Sequence, residues 1–62
     1  MRVRGKAAMV EELGALLGSL IKVQHAVDAG RWREAEVELI EMQERLVECE
    51  VFASRQASKQ EG

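Results

Sequence analysis

The chain has 62 residues, room for one small domain, and a formal net charge of −2 from nine Lys and Arg against eleven Asp and Glu. Its single Cys excludes an internal disulfide, and one Cys with one His excludes a closed structural zinc site. The hydrophobic fraction of 47% is too high for a disordered chain. The nearly balanced charge argues against a protein that works only by wrapping nucleic acid.

The first residues are basic, as at the start of a signal peptide, but Glu11 and Glu12 interrupt the apolar stretch that such a peptide requires. The longest mostly apolar run, 13–21, is nine residues long. A membrane-spanning helix needs about 20 such residues. The sequence therefore predicts a soluble, cytoplasmic protein whose Cys49 stays reduced.

Two heptad patterns predict two long helices. Apolar residues recur at alternating steps of three and four in each half of the chain, which is typical of helices that pack along a seam. The first series is Met9, Leu13, Leu16, Leu20, Val23 and Val27, and the second is Trp32, Ala35, Leu39, Met42, Leu46, Cys49 and Ala53. We expect these residues to form the core.

Gly30 separates the two patterns, and glycine is the residue favoured in the left-handed position just past a helix carboxyl end. The sequence predicts a helix over about 5–28, a turn at 29–31, a second helix over about 31–57 and a frayed tail at 58–62. So short a connection makes the two helices antiparallel. The predicted fold is an all-α helical hairpin, one domain covering 1–62.

The chain has more apolar residues than one seam can use. A second stripe lies roughly 150° around the second helix from the first, taking about 100° per residue. This second stripe consists of Val37, Ile40, Val47 and Val51, and Val10, Leu17 and Ile21 widen the apolar face of the first helix. We expect a homodimer forming an antiparallel four-helix bundle, with a higher oligomer or an obligate hetero-partner as alternatives.

The chemistry-bearing residues do not form a catalytic pattern. His25 falls on the outer face of the first helix and Cys49 on the seam of the second, so the two do not pair within one chain. The Glu-x-x-His motif of di-metal bundles is absent from the sequence. We therefore expect a protein that is not an enzyme and that has no catalytic residue, cofactor or metal.

Two charged features of the second helix are candidates for binding a partner. An acidic rib, away from the seam, either is a solvated face or attracts a basic partner; it consists of Glu34, Glu38, Glu41 and Glu48. Glu44 interrupts the second stripe. A charge at such a position either fixes register and partner choice or extends to solvent at the rim.

The hairpin tip and two helical glycines are further candidates. The tip consists of Arg31, Trp32 and Arg33, and its Trp either caps the core or anchors a partner, as Trp and Arg often do. Gly14 and Gly18 weaken a helix in water. They indicate close packing of another helix, a notch for a partner side chain, or no role.

A basic arm precedes the first helix and consists of Arg2, Arg4 and Lys6. Such an arm either contacts phosphate or an acidic protein, or is only solvated.

The plan of about sixty residues folded as a dimerising helical hairpin resembles the Rop family of plasmid RNA-binding regulators. In size and acidity the chain also looks like the small helical proteins that phages make to disable host factors.

The leading prediction is a non-enzymatic protein-binding module, a homodimer that binds another protein and modulates or inhibits it. The resemblance implies a phage or mobile-element origin. The alternative is a Rop-like nucleic-acid-binding regulator that uses the basic arm. A phosphate binder requires steep salt dependence and clustered Lys and Arg, whereas the second helix is net acidic.

Overall fold

The computed structural model describes the backbone of residues 3–61 and the side chains of residues 3–60. It contains two α-helices, α1 (Lys6–Asp28) and α2 (Trp32–Glu61), which pack against each other. Along their three principal axes the Cα atoms extend over 48 × 18 × 16 Å. Within the described residues the chain is therefore an elongated, all-helical hairpin, and this part of the predicted fold is confirmed.

The turn between the helices is a Schellman motif centred on Gly30. Gly30 has a φ of 74°, and no other described residue has a positive φ. The amide of Arg31 donates to the carbonyl of Ala26 at 2.7 Å, and the amide of Gly30 donates to that of Val27 at 3.0 Å. These two bonds satisfy carbonyls that the end of α1 leaves free. The turn lies between Asp28 and Trp32, the ends of the two helices.

The carboxyl end of α2 lies further along the chain than the sequence analysis placed it. Residues 58–61 are helical instead of frayed, and Gly62 lies outside the described residues. The segment 55–60 contains no Gly or Pro, and Arg, Gln, Ala and Lys propagate a helix well. In the structure α2 therefore continues through the residues expected to form a frayed tail, because polarity alone does not end a helix.

The last turns of α2 lie beside the segment that precedes α1. Arg4 and Gly5 border the same hollow as Gln56 and Gln60. Val3 is only 1% exposed, the lowest value among the large side chains. The open end of the hairpin is thus covered by the extended segment at 3–5.

Small and polar side chains fill most of the contact between α1 and α2, which we call the inner seam. Its buried members are Glu12, Leu16, Ser19 and Ala26 from α1 with Ala35, Met42 and Cys49 from α2. Half-buried residues, among them Val23 and Phe52, border them. Within the described residues, neither helix has a stretch long and apolar enough to cross a membrane.

Candidate interaction surface

The heptad seam predicted from the sequence is divided in two by the packing of the hairpin. Leu16, Ala35, Met42 and Cys49 are buried, and Met9 and Val23 are half-buried. The other predicted seam residues face outward, and Ala53 is exposed with them. Six of the outward residues are large and are 39–67% exposed: Leu13, Leu20, Val27, Trp32, Leu39 and Leu46. We call these six residues the open face.

The open face lies on a single side of the hairpin. Val27, Trp32 and Leu39 border one hollow, so α1 and α2 contribute to the same surface. Leu13 and Leu20 precede Val27 at steps of seven residues, which places them on the same side of α1. Leu46 follows Leu39 by the same step on α2. The result is a continuous apolar surface that runs along most of the hairpin.

The inner seam contains an ion pair that the sequence analysis did not identify. The Arg45 guanidinium donates to the Glu12 carboxylate across the two helices. The Glu12 side chain is 8% exposed and that of Arg45 27%. Both residues lie about 40–60° around their helices from the central residues Leu16 and Met42, taking 100° per residue. Their position beside the heptad seam is the feature of the sequence from which this ion pair could have been predicted.

The acidic rib lies on the opposite side of the hairpin from the open face. Glu34 and Glu38 border a hollow with Lys22 and Ala26 of α1. Glu41 follows Glu34 by seven residues and is exposed, whereas Glu38 and Glu48 are half-buried. The structure thus separates an acidic side from an apolar side.

The second stripe lies on the edge of the hairpin that faces away from α1. Its residues are 36–55% exposed: Val37, Ile40, Val47 and Val51. Glu44, within this stripe, is exposed as well. Val10, Leu17 and Ile21, at 55–63% exposed, lie on the outer part of the apolar side of α1. Neither set contributes to the inner seam.

The tip residues point outward. Trp32 is 67% exposed, so in the hairpin it does not cap the core. Arg31 donates to Glu34 at 2.8 Å, and Arg33 donates to Glu36 at 2.7 Å, each pair three residues apart on α2. Both guanidinium groups are therefore held along the first turns of α2, beside the exposed indole.

The two helical glycines of α1 face away from α2. A Cβ atom added at Gly14 or at Gly18 has no other group within 4 Å. The close helix packing considered for these glycines is therefore absent within the hairpin, because the crossing with α2 lies on the other side of α1.

The residues considered for catalysis lie apart. His25 is exposed, and it lies about 180° around α1 from the buried Leu16. Cys49 is a buried free cysteine in the inner seam. In the part of the chain that the structure describes, no three His, Cys, Asp or Glu side chains are grouped so as to hold a metal ion.

The basic arm lies at the open end of the hairpin. Arg4 and Lys6 are exposed and border the hollow formed with the last turns of α2. Arg2 lies outside the described residues. Arg4 and Lys6 are therefore at the opposite end of the hairpin from the tip arginines, so the described basic residues of the arm and the tip do not form one surface.

The comparisons with known proteins identify no relative from which a function can be inferred. No protein-family model matches the chain, and neither a curated protein nor a solved structure matches it significantly.

Proposed function

We propose that the protein is a non-enzymatic, cytoplasmic protein-binding module that works as a homodimer. In this proposal two hairpins stack through their open faces into a four-helix bundle, and the bundle binds and modulates another protein. The observation that supports dimerisation is the divided heptad seam, since the contact between α1 and α2 covers one part of its residues and leaves the larger part open.

The geometry of a four-helix bundle accounts for this division. Each helix of a bundle has two neighbours, so its core stripe points between them. A hairpin supplies only one neighbour. Leu16 and Met42 lie on the side that the hairpin covers, whereas Leu13, Leu20 and Leu39 lie about 40–60° further around their helices, taking 100° per residue. A second hairpin stacked on the open face would cover these side chains.

The size of the surface supports the same proposal. The broad side of the hairpin measures 48 × 18 Å between Cα atoms, which is large enough for an interface that buries roughly 800 Å² on each partner. Burying a fully exposed large apolar side chain contributes about 1.5–3 kcal/mol. Because the six open-face side chains are already partly covered, together they would contribute about 5–9 kcal/mol, which lies within the range of the association cost of about 4–15 kcal/mol.

Dimerisation through the open face leaves other surfaces for a different protein. Val37 and Val51 of the second stripe lie on the outer edge, outside the hollows beside Trp32 and Leu46, and Glu41 of the acidic rib lies on the outer side. Charged groups in solvent mainly accelerate association, whereas buried apolar contact supplies affinity. In this proposal the acidic rib accelerates association with the partner, and the second stripe supplies most of the affinity. The preferred partner is a basic protein.

Sedimentation velocity at micromolar concentration tests the dimer. The expected result is a single species of twice the chain mass, and Leu46→Glu, which places a charge on the open face, should sediment as a monomer. Val37→Glu is the matched control, because Val37 is as exposed as Leu46 but lies on the second stripe, outside the hollows of the open face. A wild-type protein that sediments at the monomer mass contradicts the proposal.

Capture from a lysate of the source organism tests the binding role. Immobilised wild-type protein should retain a protein that Val47→Asp does not retain, provided that Val47→Asp still sediments as a dimer. Mass spectrometry then identifies the retained protein. Equal retention by both variants would exclude the second stripe as the binding surface.

A further inference from the structure

We propose that the two hairpins of the dimer stack with their tips at opposite ends, so that Trp32 of each copy packs over the partner's Leu46. This inference rests on the proposed dimer and specifies its register and its main anchor. It follows from the spacing of the open-face residues, the hollows beside them and the charges at their rim.

The open-face residues of α2 are spaced so that they can pack against the same residues of a second copy. In a two-fold interface, a contact of residue i with the partner's residue j implies the contact of j with the partner's i. Trp32, Leu39 and Leu46 are spaced by seven residues, so Leu39 is their midpoint. A two-fold axis beside Leu39 places Leu39 against the partner's Leu39. The same axis places Trp32 against the partner's Leu46.

The open-face residues of α1 define the same axis. Leu13, Leu20 and Val27 are also spaced by seven residues, and Leu20 is their midpoint. Leu20 lies ten residues before Gly30 and Leu39 nine residues after it, so the two midpoints are level across the antiparallel hairpin. A single two-fold axis perpendicular to the helices therefore places α1 against the partner's α1 and α2 against the partner's α2.

The surface beside each anchor has space for the partner's side chain. Leu46 lies in a hollow bordered by Gln43, Val47 and Glu50. This hollow would receive the partner's Trp32, whose indole is 67% exposed in the isolated hairpin. The hollow beside Trp32, bordered also by Val27 and Leu39, would receive the partner's Leu46 in return. Trp in such a position is the residue type that contributes most to interfaces.

The rim charges favour tips at opposite ends. In this arrangement Glu36 lies level with the partner's Gln43, an amide that can donate to it. Glu50, four residues beyond Leu46, faces the amino end of the partner's α2, where the helix dipole is positive. With both tips at one end, Glu50 would instead lie level with the partner's Met9, far from that positive helix end.

Disulfide crosslinking tests the register. Leu39→Cys, in a Cys49→Ala background that removes the native thiol, should oxidise to a covalent dimer on a non-reducing gel, because a disulfide requires Cα atoms within about 7 Å. Leu20→Cys in the same background should do likewise and provides a second variant. Val37→Cys is the matched control and should stay a monomer on the gel, because Val37 borders neither of the hollows that the dimer fills.

The outcomes separate the register from the dimer itself. If wild-type protein sediments as a monomer, the proposed dimer and this inference both fail. If it sediments as a dimer but only a mixture of the Leu20→Cys and Leu39→Cys chains crosslinks, the tips lie at the same end and only this inference is overturned.

Fluorescence of the sole Trp tests the anchor. Dilution below the dissociation constant should shift the Trp32 emission to longer wavelength and raise its quenching by iodide, because the indole becomes exposed when the dimer separates. Leu46→Ala should produce the same shift at a higher protein concentration than wild type. Emission that does not change across dissociation would overturn the role of Trp32.

Discussion

The carboxylate of Glu12 and the guanidinium of Arg45 meet across the two helices although 33 residues separate them in the chain. Their position in the inner seam makes them a register device. Sliding α1 along α2 by one heptad, about 10 Å at 1.5 Å per residue, would separate the two charges and leave the Glu12 carboxylate facing apolar groups. Buried ion pairs often contribute little net stability, but they select one arrangement among several of similar packing.

A double-mutant cycle with Glu12→Ala and Arg45→Ala measures this interaction. We expect a coupling free energy of about 1–3 kcal/mol in urea unfolding, the range for hydrogen bonds to charged groups in a partly buried site. The cycle with Arg33→Ala and Glu36→Ala is the matched control. That pair has the same chemistry but is 85% and 58% exposed, so its coupling should stay below about 0.5 kcal/mol. Equal couplings would mean that the seam position adds nothing.

Truncations on the two sides of the seam should affect different equilibria. Met42→Ala removes a buried side chain from the inner seam and should lower the free energy of unfolding by about 2–5 kcal/mol. Leu39→Ala removes area from the open face and should raise the dimer dissociation constant about tenfold to a hundredfold. Because a hairpin this small is marginal alone, unfolding of Leu39→Ala should depend strongly on protein concentration.

Circular dichroism against temperature and sedimentation equilibrium measure these two effects. Val37→Ala, an apolar truncation on the second stripe, is the control and should leave the dissociation constant unchanged. If Val37→Ala weakens the dimer as much as Leu39→Ala does, the dimer uses the outer edge and not the open face.

Alanine at the helical glycines should stabilise the protein. Gly14→Ala and Gly18→Ala each remove backbone freedom from the unfolded chain and meet no atom within 4 Å. Each should raise the free energy of unfolding by about 0.5–1 kcal/mol in urea titration. Gly30→Ala is the contrasting variant and should destabilise, because its φ of 74° strains any residue with a Cβ atom. A loss of stability at Gly14 or Gly18 would indicate that another chain packs against that side of α1.

Charge reversal on the acidic rib should slow binding of the captured partner without changing the fold. Glu41→Lys is expected to lower the association rate several-fold at low salt and to flatten its dependence on ionic strength. Glu11→Lys, an exposed reversal on α1, is the control of equal net charge. Stopped-flow mixing or surface binding kinetics gives the rates. Identical salt dependence for the two variants would remove the acidic rib from the association step.

Much of the hairpin could be predicted from the sequence because its signals are local. Steps of three and four between Leu13, Leu16 and Leu20 determine the helical period, and Gly30 supplies the one conformation that ends α1. The polar composition of the last residues predicts a frayed tail from 58, whereas α2 continues to Glu61 because no Gly or Pro at 55–60 interrupts its backbone hydrogen bonds.

The division of the seam could not be predicted in the same way. A heptad pattern identifies the apolar side of a helix but not which half of that side the neighbouring helix covers. That half depends on the rotation of each helix about its own axis, and the Glu12–Arg45 pair favours the rotation that the structure shows. The burial of Val3 could not be predicted for another reason. A single apolar residue among basic residues forms no periodic pattern from which burial can be inferred.

The turn at Gly30 also governs the order in which the hairpin assembles. Ala26 and Glu34, beside the turn, are eight residues apart in the chain, whereas Glu12 and Arg45 are 33 apart. Closing the longer loop directly from the unfolded chain costs about 1 kcal/mol more entropy than closing the shorter one. The contacts beside the turn should therefore form first, and those nearer the open end of the hairpin should form later. Substitutions near Ala26 would slow folding, while those at the Glu12–Arg45 pair would mainly accelerate unfolding.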